Sequence, residues 1–339
     1  MWHRGIYLIL IYVFRAVVLL MLFAALLILS TPLLGINELF YPVRIDSVSI
    51  VYSSNKLIQN DTLSPALPLY NPSNTGMQYK EWDVVAKDSI TLKGWEVLPE
   101  GEIKNLSVLL VHDVNESKLN YIRFAAQLAS QGFRVFLFDL RAHGVSGGDY
   151  FSYGYTGVTD LMAICDQMLE LYSKDMLAIY GNGAGAALAI QLCAYDSRPH
   201  MLMINNGFTN LQEHFMQFTQ VKWGKISQYI YPVLERQLEK QTGFQVNSLH
   251  LDSLIAGLSI PVLVSSNAES SYRLNQAVQL FLAAEKVPEK KFAIVDFSKE
   301  LNQASVGYQA LKQLSTFLNG TMMRQKNKSV KGKRKLAFQ

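Results

Sequence analysis

The chain has 339 residues, half of them apolar, which is enough to bury the core of one large domain with appendages. Its net charge of +4 depends on residues 324–339, which hold seven Lys and Arg and no acidic residue, so the remainder carries about −3 (+4 less 7). That balance argues against a nucleic-acid-binding body. The two cysteines, Cys165 and Cys193, lie in apolar segments with helical patterning. We expect two buried thiols, with a disulfide as the alternative.

The amino-terminal segment is apolar: residues 6–34 contain one charged side chain, Arg15, and 19 uncharged residues follow it. At about 1.5 Å per residue those 19 residues span roughly 28 Å, close to a hydrocarbon core of about 30 Å. This run is longer than that of a cleaved signal peptide, so an uncleaved membrane anchor over residues 1–35 is favoured. Arg4 and Arg15 precede the span, and the positive-inside rule then predicts a single-pass membrane protein, in contact with lipid through this helix, whose soluble domain is extracytoplasmic.

Residues 36–78 mix Pro, Asn and Ser with short apolar runs, which is typical of a spacer. A hairpin of Tyr79–Ala86 and Ile90–Leu98 follows, and after it buried strands alternate with helices. The further strands are predicted at Leu106–Val111, Phe133–Leu140, Met176–Tyr180, Met201–Ile204, Ile260–Val264 and Lys291–Val295. The helices are predicted at Leu119–Ser130, Gly157–Tyr172, Ala184–Ala194, Leu274–Ala284 and Gly307–Leu318. This alternation predicts an α/β fold with a mostly parallel sheet, helices on both faces and an antiparallel edge.

The alternation stops at about residues 210–257, where amphipathic stretches such as Ile226–Leu238 predict a helical insertion over the carboxyl edge of the sheet. The domain, residues 79–319, is expected to end with the last helix. Residues 320–339 are basic with little apolar content, so we expect a disordered tail. Its cations suit anionic lipid or an acidic partner.

A glycine-rich turn follows the strand Met176–Tyr180 and reads Gly-Asn-Gly-Ala-Gly over residues 181–185, before an Ala- and Leu-rich helical segment. A buried strand that turns sharply through small residues into a helix has the form of a nucleophile elbow, G-x-S-x-G. Gly183 stands where that motif carries its Ser. The stretch most like an active site therefore lacks the atom that would react.

Three motifs occur along this chain in the same order as in a known family. They are the hairpin, the His112-Asp113 pair after the third strand, and the loop Asp139–Gly148 before the elbow. In this order the chain resembles an α/β-hydrolase of the Bem46-like, membrane-anchored serine hydrolase group. The loop is the most specific piece, since it is similar to D-x-R-G-x-G-x-S with Ala142 in place of the first Gly. The resemblance implies an α/β-hydrolase fold with a transmembrane helix, and a site in which a Ser, a His and an acid act together.

The positions that the resemblance assigns to catalysis are degenerate here. Gly183 replaces the nucleophile, Glu269 is the carboxylate at the acid position, and the histidine loop ends in Glu300 without a histidine; none follows residue 250. The oxyanion loop, H-G-x-x-G in the family, carries Asp113 and Glu116 in place of its glycines. Carboxylates at those places would repel a developing oxyanion.

Five residues around the elbow remain candidates for ligand binding: His112, Asp113, Asn182, Ala184 and His143. For the two histidines a structural role in the loops is favoured over catalysis. The sequence has no metal-ligand spacing, phosphate loop or dinucleotide fingerprint, so no metal and no cofactor is predicted.

Three functions stay open. The first is a pseudoenzyme that binds a small molecule or a protein without hydrolysis. The second is an enzyme with relocated chemistry, using His112, His143 or Asp113. The third is a structural membrane protein that acts through its basic tail. The first is favoured because the nucleophile, the histidine and the oxyanion loop have all changed together.

Overall fold

The computed structural model describes residues 10–23, 40–45, 69–114, 116–242, 244–295 and 308–337. Residues 10–23 form a helix, α1, within the predicted membrane span, and the rest of that span lies outside the described residues. Within these ranges, no helix combines the length and the apolar character needed to cross a bilayer.

Eight strands of the described chain form one sheet in the order β1-β2-β4-β3-β5-β6-β7-β8. They are β1 Tyr79–Val85, β2 Thr91–Val97, β3 Leu106–Val111, β4 Arg134–Phe138, β5 Met176–Asn182, β6 Met201–Asn205, β7 Val262–Ser266 and β8 Lys290–Ile294. β2 pairs antiparallel with β1 and with β4, and all other neighbours are parallel. The prediction of a mostly parallel sheet with an antiparallel hairpin edge is confirmed.

The helices predicted between these strands are present with small differences at their ends, and the last helix is longer than predicted. They are α2 Ile122–Ala129, α3 Tyr155–Leu171, α4 Ala184–Tyr195, α5 Leu211–Trp223, α6 Ser227–Thr242, α7 Leu251–Ala256, α8 Ser271–Ala283 and α9 Tyr308–Ala337. Short 3-10 turns lie at Pro72–Thr75, Lys118–Tyr121, Gly224–Ile226 and Val246–Ser248.

The core is built on β3, whose six residues are all buried. Val108 and Leu110 face one side of the sheet and join side chains of α2 and α9 in one apolar cluster. α4 packs on β5 and β6 and is buried from Ala184 to Cys193 on every side, as expected of a helix that is apolar all round. Both thiols, Cys165 and Cys193, are buried and free, so the preferred prediction for the cysteines is confirmed.

α5 and α6 belong, with the described residues up to Phe40, to a compact unit of their own. The Gln212 side-chain amide donates a hydrogen bond of 3.1 Å to Glu235 Oε1. The start of α5 therefore lies beside the second half of α6, and the two helices form an antiparallel hairpin, the α5–α6 hairpin. Phe40 packs edge-on against Phe215 with ring centroids 5.9 Å apart.

The carboxyl-terminal helix differs from the prediction. α9 runs on to Ala337 instead of ending at Leu318, so residues 320–337 are helical rather than disordered. Thr321 and Met322 are buried, and Met322 belongs to the core cluster of α2. The overall polarity of the tail concealed this continuation, because Met322 lies four residues after Leu318 and so extends the same apolar stripe by one turn.

β1 and β8 are the outer strands of the sheet. β1 exposes Lys80, Glu81 and Asp83, and β8 begins with Lys290 and Lys291, which are half-buried.

Candidate functional site

The elbow has the backbone of a nucleophile turn. Gly183 lies between β5 and α4 with φ +52° and ψ −115°, a conformation that L side chains rarely adopt. Gly185 lies two residues on, where a Cβ would approach the carbonyl oxygens of Val111 and His112 to 2.4 Å. The sequence folds this way because small residues let α4 start directly against the end of β3.

The carboxylate of Asp113 fills the space that a nucleophile would occupy. A Cβ on Gly183 would lie 2.1 Å from Asp113 Oδ2. Asp113 Oδ1 accepts hydrogen bonds from the backbone N–H of Ala184 at 2.7 Å and of Val114 at 2.8 Å. The amide of Ala184 belongs to the residue after the elbow position, and the amide of Val114 belongs to the loop after β3. In this type of fold, the oxyanion hole is built from amides at these two places. The sequence predicts repulsion of an oxyanion here, and the structure shows a carboxylate bound in its place.

Asp113 is an unusual acid. Its pKa is raised to about 7, first by burial and next by the charge of the nearby Glu116 carboxylate, whereas the hydrogen bonds from Ala184 and Val114 act in the opposite direction. The residue as a whole is half-buried. Near neutral pH the elbow therefore holds a carboxyl group that is partly protonated.

Glu116 holds the loop after β3 and does not reach the elbow amides. Its Oε2 accepts from the backbone N–H of Asp113 at 2.9 Å and from the Tyr121 hydroxyl at 2.8 Å. Burial, followed by the charge of Glu116, raises the pKa of Tyr121 well above its ordinary value. Tyr121 thus stays a hydrogen-bond donor, a role that the sequence analysis missed because the residue reads as part of an apolar helix face.

Polar side chains also meet at the carboxyl ends of β5, β6 and β7. Asn182 Oδ1 accepts from Asn205 Nδ2 at 2.9 Å, and Asn205 Oδ1 accepts from the Ser265 hydroxyl at 2.8 Å. Asn206, just beyond β6, has φ +51°. Ligands of open parallel sheets bind at this edge. The predicted candidate Asn182 lies at this edge directly before the elbow glycine, and its Nδ2 donates to Glu116 Oε2 at 3.4 Å. In the sequence, Asn205 and Ser265 were detectable only as polar residues that end apolar strands.

The two histidines have structural positions. His112 Nδ1 donates to the carbonyl oxygen of Asp113 at 2.8 Å, and its Nε2 accepts from the N–H of Leu140 at 2.9 Å. Burial lowers the pKa of His112 to about 4, and burial together with the nearby His112 lowers that of His143 to about 3. The rings pack edge-on with centroids 4.9 Å apart. Both are neutral near pH 7, and His112 has no free nitrogen for proton transfer.

The signature loop Asp139–Gly148 is held from inside by Asp139. Its carboxylate accepts from the backbone N–H of Lys118 at 2.8 Å and of Val145 at 3.0 Å, and it forms a buried ion pair with the Lys118 ammonium group. A Cβ on Gly144 would meet that carboxylate at 2.2 Å. Ala142, which stands where the family has its first Gly, adopts φ +64°.

Arg44, in the predicted spacer, closes the same loop from outside. Its guanidinium donates to the carbonyl oxygens of Gly144 at 3.2 Å, Ser146 at 2.5 Å and Gly148 at 2.6 Å. This part of the spacer is therefore anchored on the domain.

The remaining family positions are not assembled into a triad among the described residues. Glu269 is exposed on the turn after β7. Glu300 and its loop lie outside the described residues. A cavity of about 530 Å³ opens near the amino ends of β6 and β7, away from the elbow, and is lined by residues that include Cys193, Asp196 and Ile260.

The geometry agrees with the comparisons to known proteins. Residues 103–272, half of the chain, match the family described as serine aminopeptidase, S33. The chain belongs to this family. It is 21% identical over 184 residues to YqkD, an uncharacterized protein of Bacillus subtilis, in a match that covers 53% of this chain and 60% of that protein. The match therefore spans less than two thirds of the length of YqkD.

Solved structures give the same fold. The esterase Pf2001 of Pyrococcus furiosus superposes with a TM-score of 0.59 at 17% identity, covering 76% of this chain and 98% of the esterase. A highly thermostable carboxyl esterase from Bacillus coagulans gives 0.54 at 13% identity, covering 73% and 99%. At these identities the likeness shows the fold alone, and it confirms the predicted α/β-hydrolase fold.

Proposed function

We propose that this S33-family chain is a membrane-attached pseudoenzyme of the Bem46-like group, in which the elbow site binds a small molecule or a protein segment without hydrolysing it. One observation carries the proposal: the Asp113 carboxylate fills the space of the missing nucleophile and accepts hydrogen bonds from the two elbow amides, those of Ala184 and Val114. Acyl transfer requires those amides to be free for the developing oxyanion.

Three separate requirements of serine hydrolysis fail together. Gly183 carries no nucleophile, Asp113 holds the amide of Ala184, and no histidine follows residue 250. His112 and His143 do not replace the missing base, because burial lowers their pKa values to about 4 and about 3 and makes both weak bases. His112 also uses both ring nitrogens in hydrogen bonds. A single substitution therefore does not restore the reaction.

The membrane part of the proposal rests on the sequence of residues 6–34, with Arg15 as the one charge. The charge difference across this span favours an extracytoplasmic domain. The cationic end of α9 is the proposed contact for anionic lipid or an acidic partner. The test is a reporter that is active only in the cytoplasm, fused after residue 339. Activity of this fusion would contradict the proposed topology.

The test of the pseudoenzyme is labelling by a serine-directed phosphonate, together with turnover of short acyl esters by the full chain. We expect neither to exceed a heat-denatured control. Labelling that persists in Gly183→Val would place a nucleophile elsewhere in the chain and overturn the proposal. Activity that Gly183→Val abolishes would overturn it too, by placing chemistry at the elbow.

A second candidate is favoured by one observation, the pKa of about 7 of Asp113. A carboxyl group titrating near neutral pH suits general acid–base chemistry on a substrate at the elbow. Activity of the unmodified chain that disappears in Asp113→Asn and follows a titration near pH 7 would support this candidate over the pseudoenzyme.

A further inference from the structure

The α5–α6 hairpin has an apolar and cationic tip. Gln212 pairs with Glu235, so the point where the chain reverses lies midway between them, at the 3-10 turn Gly224–Ile226. Large apolar side chains are exposed there: Val221 is 77% exposed, Ile226 49% and Tyr229 65%. Exposed apolar groups gathered on one surface mark an interaction site.

The tip also carries positive charge beside aromatic rings. Lys222 Nζ lies 5.6 Å from the ring centroid of Phe218 and 5.3 Å from that of Trp223. Lys225 follows in the turn and is exposed. No acidic residue occurs between residues 217 and 229, so the tip has a net charge of +2. Aromatic side chains with Lys among apolar ones are the composition of a segment that lies at a membrane–water interface.

Chain length places the hairpin within reach of a membrane. The apolar span ends at Leu34, and Phe40 packs on Phe215 of α5. Six residues extend at most about 21 Å, so Phe215 lies within about that distance, plus the reach of the two rings, of the end of the span. From Phe215 to Trp223 the helix adds about 12 Å. The tip is therefore able to reach the surface of the bilayer that holds the span.

We propose that the tip of the α5–α6 hairpin, residues 221–229, inserts into the headgroup region of the bilayer, with Trp223 and Ile226 at the acyl boundary and Lys222 and Lys225 against anionic headgroups. This inference rests on the proposed membrane attachment. The α5–α6 hairpin would then be a second point of contact with lipid, in addition to the span.

The test uses the tryptophans of the full chain in vesicles of phosphatidylcholine and phosphatidylserine. Trp82 and Trp95 are buried, and Trp223 is half-buried at the tip. Trp2→Phe, which removes the tryptophan of the predicted anchor, therefore leaves Trp223 as the reporter. Brominated acyl chains quench tryptophan on contact. We expect loss of emission in brominated vesicles relative to unbrominated ones, and we expect that loss to vanish when Trp223→Phe is added.

A charge test separates lipid from other occupants. Lys222→Glu with Lys225→Glu should reduce the quenching in vesicles with phosphatidylserine, whereas Lys174→Glu with Lys286→Glu, two exposed lysines on the sheet domain, should not. A chain that floats with the vesicles but shows no quenching of Trp223 overturns the inference and leaves the span intact. A chain that does not float overturns both. A tip that cross-links to a second copy without quenching shows a protein interface and also overturns the inference.

Discussion

The contact between Asp113 and Gly183 predicts a strong dependence of one residue on the other. In Gly183→Ala the new Cβ would lie 2.1 Å from Asp113 Oδ2, so the carboxylate has to leave. The backbone at φ +52° costs a residue with a side chain about 1 to 3 kcal/mol. Displacing the carboxylate removes its charge-assisted hydrogen bonds to the elbow amides. Because the displaced carboxylate regains hydrogen bonds to water, we count the pair as one such bond, a net loss of about 1.5 to 3 kcal/mol.

The single substitution should therefore lower the free energy of unfolding by about 2.5 to 6 kcal/mol. In the background of Asp113→Gly only the backbone strain remains, about 1 to 3 kcal/mol. The coupling between the two positions is then about 1.5 to 3 kcal/mol, well above the 0.3 to 0.5 kcal/mol within which independent sites add.

Urea unfolding of the four proteins of the cycle, followed by tryptophan fluorescence, measures this coupling. Equal destabilisation by Gly183→Ala in both backgrounds would refute the reasoning, since it would mean that Asp113 does not lie against the elbow. Gly76→Ala is the matched control, because Gly76 also has a positive φ, of +82°, but has nothing within 4 Å of a built Cβ.

Two further predictions concern protonation and the last helix. Burial raises the pKa of Asp113 to about 7 in the folded protein, so the folded state binds a proton that the unfolded chain has already released. The contribution of Asp113 to the free energy of unfolding therefore falls as the pH rises from about 4 to about 7. Urea unfolding should show that the stability of Asp113→Asn rises relative to that of the native chain over the same pH increase. A difference in stability that does not change with pH would contradict this. Truncation after Asn319 removes buried Met322, worth about 1.5 to 3 kcal/mol, and the ion pair of Arg324 with Glu289. The Tm should fall by several degrees, whereas truncation after Asn327 should leave it unchanged, and equal values for both would show that Met322 does not stabilise the domain.

The sheet and the elbow could be predicted because each depends on a local pattern. Leu106–Val111 reads as a strand buried on both faces, and Gly183 is recognisable from the small residues around it. The binding of Asp113 by the amide of Ala184 was not predictable, since the two residues are 71 positions apart and only the folded sheet brings them together. Sequence reasoning recognised the charge of Asp113 but not the direction in which its side chain lies.

The same limit explains the error at the end of the chain. A composition averaged over residues 320–339 is polar, but the stability of a helix depends on individual positions along one stripe. Met322 alone is enough to continue the stripe of Leu314 and Leu318 against α2.

The two outer strands of the sheet affect how this protein behaves at high concentration. The free edge of a strand exposes unpaired N–H and C=O groups to which a strand of another molecule can add. β1 exposes Lys80, Glu81 and Asp83, and β8 places Lys290 and Lys291 at its start. A strand added to either edge would have to bring its own side chains beside these charges, so the domain should resist aggregation by strand addition even when many copies are crowded together.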